Sequence, residues 1–218
     1  MKAILFDLDG TLVDSSEGII KCAKFALEHY GIEENDEGKL KAFIGPPLLY
    51  SFSKNYGFDE EKSKEAVAFY RKRYQTTGIY ECSLYEGVRE CIKKLREKGY
   101  LIGMASSKPE VSCKVILKHF GILDLFDEVV GATLDARIDT KEEVLIELFR
   151  RWSHIPKEEM CLIGDTIFDV NGANQTGIPC IGVTYGFGDL EEMKAAGAIA
   201  FADKMEELPE LIEKCFSK

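Results

Sequence analysis

Apolar and polar positions change their spacing twice along the chain. The run Ala3 to Phe6 has strand length and is bounded at once by Asp7, Asp9, Gly10 and Thr11. From Asp14 the spacing becomes helical. Asp14 and Glu17 predict a capping-box start, Ile19, Ile20, Ala23, Leu27 and Tyr30 form one face, and Gly31 ends the helix. A second helix carries Leu40, Phe43 and Ile44 as far as Gly45. Pro46-Pro47 opens a third, with Leu48, Leu49, Phe52 and Tyr56 inward and Gly57 at its end. A fourth, Glu60 to Thr76, places Val67, Tyr70 and Tyr74 on one side. No strand pattern falls between Ser15 and Tyr80.

From Tyr85 onward strands and helices alternate. Val88, Cys91, Ile92 and Leu95 make a helical face before the strand Tyr100 to Ala105. Ser107 and Glu110 frame the next helix start, whose expected face is Val111, Val115, Ile116 and Phe120. Further strands are read at Glu128 to Ala132, Met160 to Gly164, Cys180 to Thr184 and Ala198 to Phe201. Between them lie a helix with Val144, Leu145, Leu148, Phe149 and Trp152 inward and a last one with Leu208, Leu211 and Ile212. Strands separated by helices imply right-handed crossovers and a parallel sheet covered on both faces. The expected fold class is α/β: a doubly wound parallel sheet built from residues 1–14 and 81–218. A small all-helical domain, residues 15–80, is inserted after the first strand.

Composition adds limits. With 218 residues, 45% hydrophobic and 30% charged, the chain reads as an ordinary globular protein. Asp7 and Asp9 interrupt the N-terminal apolar run before it reaches signal-peptide length, and the expected location is cytoplasmic. No apolar run approaches a membrane span. Seven scattered cysteines without a CxxC pair suit reduced thiols better than disulfides or a zinc site. A net charge of -10 argues against nucleic acid as a partner. An anionic substrate therefore has to find its positive charge locally.

In a doubly wound sheet, ligands sit beyond the carboxyl ends of the strands. Four polar clusters occupy those positions: Asp7/Asp9/Thr11, Ser106/Ser107, Lys141, and Gly164-Asp165-Thr166-Ile167-Phe168-Asp169. A carboxylate attacking a phosphate dianion meets like charge, about 4 kcal/mol per unit pair at ~4 Å and an effective dielectric of ~20. A lysine and a divalent cation reverse that balance, and Mg²⁺ favours hard oxygen ligands such as Asp7 and Asp165. The ordinary alternatives are a solvated Asp-x-Asp turn, a serine-initiated helix, a first-turn lysine and an Asp165/Asp169 cap pair.

In order and context the four clusters resemble the four motifs of the haloacid dehalogenase superfamily, the first being its DxDGT nucleophile motif. The resemblance covers essentially the whole chain. It implies that Asp7 is a nucleophile forming an aspartyl-phosphate and that Asp9 is the general acid and then base. It implies that Thr11, Ser106 and Ser107 bind substrate, and that Lys141 aligns nucleophile and phosphate. It also implies that Mg²⁺ is held by Asp7, Asp165, Asp169 and the backbone carbonyl of Asp9. The family usually has proline after this lysine. Here Glu142 follows, with Arg137 and Lys108 as fallback cations.

The helical insertion resembles a C1-type cap, with Gly45 and Pro46 in the candidate specificity loop. Tyr50, Phe52, Tyr56 and Phe58 are read either as base-stacking residues or as cap core, and Arg71, Lys72 and Arg73 as a solvated face. Within the superfamily the nearest resemblance is to phosphoglycolate phosphatase-like enzymes. The implied activity is hydrolysis of a small phosphorylated metabolite, by a monomer or homodimer. A 5′-nucleotidase, a β-phosphoglucomutase-type phosphomutase and a non-catalytic phosphate-ligand binding protein remain as alternatives.

Overall fold

The computed structural model describes residues 2–135 and 137–217. They divide into two compact units, Met1–Val13 with Leu84–Lys218, and Asp14–Ser83. The first contains β1 (Ala3–Phe6), α5 (Val88–Glu97), β4 (Leu101–Pro109), α6 (Glu110–His119), β5 (Glu128–Ala132) and α7 (Lys141–Arg151). It continues through β6 (Met160–Gly164), α8 (Ile167–Thr176), β7 (Cys180–Val183), α9 (Leu190–Ala196), β8 (Ala200–Ala202) and α10 (Leu208–Cys215). The second contains α1 (Ser16–Glu28), α2 (Glu37–Lys41), α3 (Leu48–Tyr56) and α4 (Glu60–Tyr74). Two-residue strands β2 (Val13–Asp14) and β3 (Ser83–Leu84), absent from the sequence reading, form a separate ribbon where the chain passes from one unit to the other.

Six strands make one sheet in the order β5-β4-β1-β6-β7-β8, and each recorded pairing is parallel. All four residues of β1 and all five of β6 are buried, as expected of central strands covered on both faces. Ala3 and Leu5 of β1 pack with Leu162 of β6 and with Val144, Leu145, Leu148 and Trp152 from the α7 region, so the helix face expected there forms. The chain runs outward from β1 through β4 to β5, returns to place β6 beside β1, then runs outward again. The reversal lies between β1 and β6, and the crevice beyond their carboxyl ends is where such sheets bind ligands.

Several local expectations change. β4 extends through Ser107 to Pro109, and α6 starts only at Glu110, so Ser107 does not begin a helix. The buried face of α6 is Cys113, Ile116 and Leu117, while Val111 and Val115 are exposed. Two stripes compete on that helix, and the one starting at Cys113 meets the sheet. β8 falls at Ala200–Ala202, with Ile181 opposite Ala200.

Within the helical unit, the expected Asp14/Glu17 box is replaced. Asp14 Oδ1 accepts from the N–H and hydroxyl of Ser16 at 3.0 and 2.6 Å, and Glu17 pairs with Lys21. The unit's core joins Ile19, Cys22, Ala23 and Leu27 of α1 with Ala66, Val67 and Tyr70 of α4. Phe43 and Phe52 also belong to it, with ring centroids 4.9 Å apart. Phe52 and Phe58 are buried there, so neither is placed to stack on a base; Tyr50 is exposed and Tyr56 donates to Glu34. Arg73 is not merely a solvated charge, since its guanidinium grips both oxygens of Glu81 at 2.6 and 3.0 Å. No helix of the described residues is long and apolar enough to cross a membrane.

Candidate active site

Four charged side chains are delivered to the β1/β6 crevice by the ends of strands and the beginnings of helices. Asp7 follows β1, and its N–H donates to the Ile163 carbonyl of β6 at 2.9 Å. Asp165 follows β6. Lys141 is the first residue of α7, whose start is set by a capping box: Glu143 N–H donates to the Thr140 hydroxyl, and Glu143 Oε2 accepts from Thr140 N–H. Asp169 is in the first turn of α8, where Oδ2 accepts from the N–H and hydroxyl of Thr166 at 3.0 and 2.9 Å.

Lys141 Nζ is the centre of the group. It lies 2.7 Å from Asp7 Oδ1, 2.7 Å from the Ala105 carbonyl oxygen and 2.9 Å from Asp169 Oδ1. Arg137, the other fallback cation on this stretch, is exposed and pairs with Asp135. Asp165 Oδ1 accepts from the Thr11 hydroxyl at 3.1 Å, and Oδ2 from the Phe187 N–H at 2.8 Å. One oxygen from each of Asp7, Asp165 and Asp169 lies within 4.8 Å of the others.

Asp7, Lys141, Asp165 and Asp169 are all buried. Three carboxylates facing one ammonium leave two negative charges uncompensated when all are ionised, which is costly away from water. Burial, only partly offset by Lys141, pushes the Asp7 carboxyl up to about 6. Burial together with Asp169 and Asp7 pushes Asp165 well above the carboxylate range. Lys141 is driven upward, despite its burial, by Asp169 and Asp7. An excess of buried negative charge with oxygen-only donors fits a hard divalent cation such as Mg²⁺.

The backbone is cut away around these groups. At Gly10, whose φ is +83°, a β-carbon would lie 2.0 Å from Asp165 Oδ2; at Gly186 it would lie 2.3 Å from Asp165 Cβ. At Gly172 on α8 a β-carbon would meet Lys141 Cγ at 2.6 Å. The sequence reading did not single out Gly172, Gly186 or Phe187. The available signal for the last two was the Gly-Phe-Gly run, residues 186–188, just beyond a buried strand.

The other expected site residues are distributed unevenly. Thr11 is fully buried with its hydroxyl on Asp165, so it braces that acid and does not reach out to substrate. The Asp9 carboxylate stands outside the three-acid cluster; its Oδ2 is 2.5 Å from Lys108 Nζ, while its buried Oδ1 has no hydrogen-bond partner. Ser106 is buried and accepts from the Lys108 N–H at 3.3 Å, whereas Ser107 is exposed. Gly45 and Pro46 belong to the helical unit, in the turn between α2 and α3, where Gly45 has φ +100°.

A doubly wound sheet thus carries three aspartates and one lysine at its switch point. Residues 4–183 match the haloacid dehalogenase-like hydrolase model, and the chain belongs to that family. It is 40% identical to a 5′-nucleotidase of Pseudomonas aeruginosa, over 96% of this chain and 95% of that protein. The crystal structure of a predicted phosphatase from Clostridium acetobutylicum superposes with a TM-score of 0.92 at 40% identity, covering 98% of each chain. The tyrosine-protein kinase PtkA of Mycobacterium tuberculosis is 33% identical over 96% of this chain and 72% of its own length.

Proposed function

We propose that this chain is a Mg²⁺-dependent phosphomonoesterase that carries the phosphoryl group transiently on Asp7. The observation that supports it most is the buried Lys141 bridge between Asp7 and Asp169, with Asp165 beside both. Lys141 holds one oxygen of Asp7 and leaves the other to attack phosphorus. The phosphorus–ester oxygen bond breaks, and the leaving oxygen takes a proton from Asp9. Asp9 then takes a proton from water, whose oxygen attacks the same phosphorus. The bond to Asp7 breaks, inorganic phosphate leaves and the carboxylate is restored. Asp7, Asp165 and Asp169 would hold the metal, with the Asp9 backbone carbonyl as a further oxygen. When bound, the cation supplies the charge that offsets repulsion between carboxylate and phosphate.

The substrate we favour is a nucleoside 5′-monophosphate. The 40% identity to a 5′-nucleotidase stands against 28% to a phosphoglycolate phosphatase of Vibrio vulnificus, the class favoured from motifs alone. The helical unit, with the Gly45–Pro46 turn, is proposed as the specificity module. Phosphoglycolate and sugar phosphates complete the test panel, assayed for free phosphate with Mg²⁺ and with chelator. Faster turnover of phosphoglycolate than of any nucleotide would reverse the ranking, and no turnover of any ester would remove the reading. The likeness to PtkA raises one further acceptor, a tyrosine hydroxyl in place of water. Phosphate release without phosphotyrosine separates the two, and isomerised sugar phosphate would mark a phosphomutase.

A further inference from the structure

Resting on that reading, we propose that the two lysines divide the work: Lys141 stays with the nucleophile, and Lys108 receives the phosphoryl oxygens of the substrate. An ammonium has three N–H donors. Lys141 is engaged by two hydrogen bonds, to Asp7 Oδ1 and the Ala105 carbonyl at 2.7 Å each, and by an ion pair with Asp169 Oδ1 at 2.9 Å. Reaching the substrate would require Lys141 to give up one of these buried contacts.

Lys108 is placed differently. Between Ser106, opposite Gly131, and Pro109, opposite Ala132, β4 has three steps where β5 has one. Ser107 and Lys108 therefore form a bulge, a device that re-aims side chains. Gly131 is what admits it: a β-carbon there would lie 2.5 Å from the Lys108 carbonyl oxygen and 2.6 Å from the Glu110 nitrogen. The bulge sends Lys108, its side chain only 9% exposed, to Asp9 at 2.5 Å. In the proposed reaction Asp9 serves the ester oxygen, so the Lys108 ammonium stands beside the phosphorus being transferred. The same turn brings the Ser106 hydroxyl alongside. Arriving phosphate replaces Asp9 as the partner of Lys108, one charge-assisted contact exchanged for another.

The test is calorimetric titration of inorganic phosphate, in Mg²⁺, into wild type, Lys108→Met, Lys108→Arg and Lys141→Met, with Tm recorded for each. Lys108→Met is expected to weaken phosphate binding by about tenfold or more, the worth of a charged hydrogen bond, with partial recovery in Lys108→Arg. In turnover its KM should rise by the larger factor, whereas Lys141→Met should act mainly on kcat. Unchanged phosphate affinity in a folded Lys108→Met, or a fall in kcat alone, would overturn the division of labour. Because binding is read without catalysis, that failure is distinct from a wild type that binds phosphate but hydrolyses nothing.

Discussion

Gly172 of α8 lies against the stem of Lys141, so close that a β-carbon at 172 would stand 2.6 Å from Lys141 Cγ and 2.8 Å from its Cβ. Two helices, α7 after β5 and α8 after β6, thus fit together around one buried lysine. The first turn of α8 also supplies Asp169, the partner that holds this lysine from the other side. Gly172→Ala should therefore displace Lys141 and lower kcat more than it lowers Tm. Steady-state kinetics with a melting curve check this. A loss in Gly172→Ala that adds in full to that of Lys141→Met in the double variant would show that the glycine acts through something else.

Lys141 neutralises part of a buried negative group. Lys141→Met should destabilise the metal-free protein by about 3–5 kcal/mol, the usual cost of stripping a buried charge of its partner. Adding Asp169→Asn to it should recover part of that loss, because one of the stranded carboxylates is gone. Urea unfolding of the single and double variants measures both. Purely additive losses would contradict the charge account.

The Asp7 carboxyl is pushed up from 3.8 to about 6 by burial, and Asp165 moves the same way. Below the ordinary value both the folded and unfolded states are protonated. As pH rises from about 4 to 6, the unfolded chain releases these protons first, so this contribution falls with pH in metal-free protein. Asp165→Asn should accordingly gain on wild type, without metal, as pH rises. Mg²⁺ should raise the wild-type Tm more at pH 7 than at pH 5, since it binds the ionised form. Flat differences across that window in differential scanning fluorimetry would contradict the assignment.

Phe52 and Tyr50 separate the two meanings of the aromatic stripe in the helical unit. Phe52 is fully buried and Tyr50 is 51% exposed. Phe52→Ala should cost about 3–5 kcal/mol of stability, as large-to-small changes in a packed core do. Tyr50→Ala should stay within about 0.5 kcal/mol. Chemical denaturation of both variants decides it.

What could be read from the chain alone was governed by locality. Asp7 and Asp165 stand immediately after short apolar runs, and Asp169 one helical turn later, so strand ends mark them in the sequence. Lys141 was legible as a cation in the right interval, although Glu142 replaces the usual proline. The structure supplies another signal, the Thr140–Glu143 capping box that starts α7 at this lysine. Hidden features depend on pairing between distant segments. The Lys108 bulge exists only relative to Gly131 of β5, and the role of Thr11 depends on Asp165, 154 residues away. Short continuous apolar runs placed the strands well. Apolar spacing could not say which of two stripes on α6 turns inward, because Val111/Val115 and Cys113/Ile116/Leu117 are both apolar.

The most direct test asks where the phosphoryl group rests. Wild type mixed with p-nitrophenyl phosphate and Mg²⁺, acid-quenched within one turnover and digested, should yield a peptide containing Asp7 that carries one phosphoryl group labile to hydroxylamine. Asp7→Asn should yield none and should turn over at least about a thousandfold more slowly with its fold intact. A phosphoryl group on any other residue, or undiminished hydrolysis by Asp7→Asn, would contradict the account at its centre.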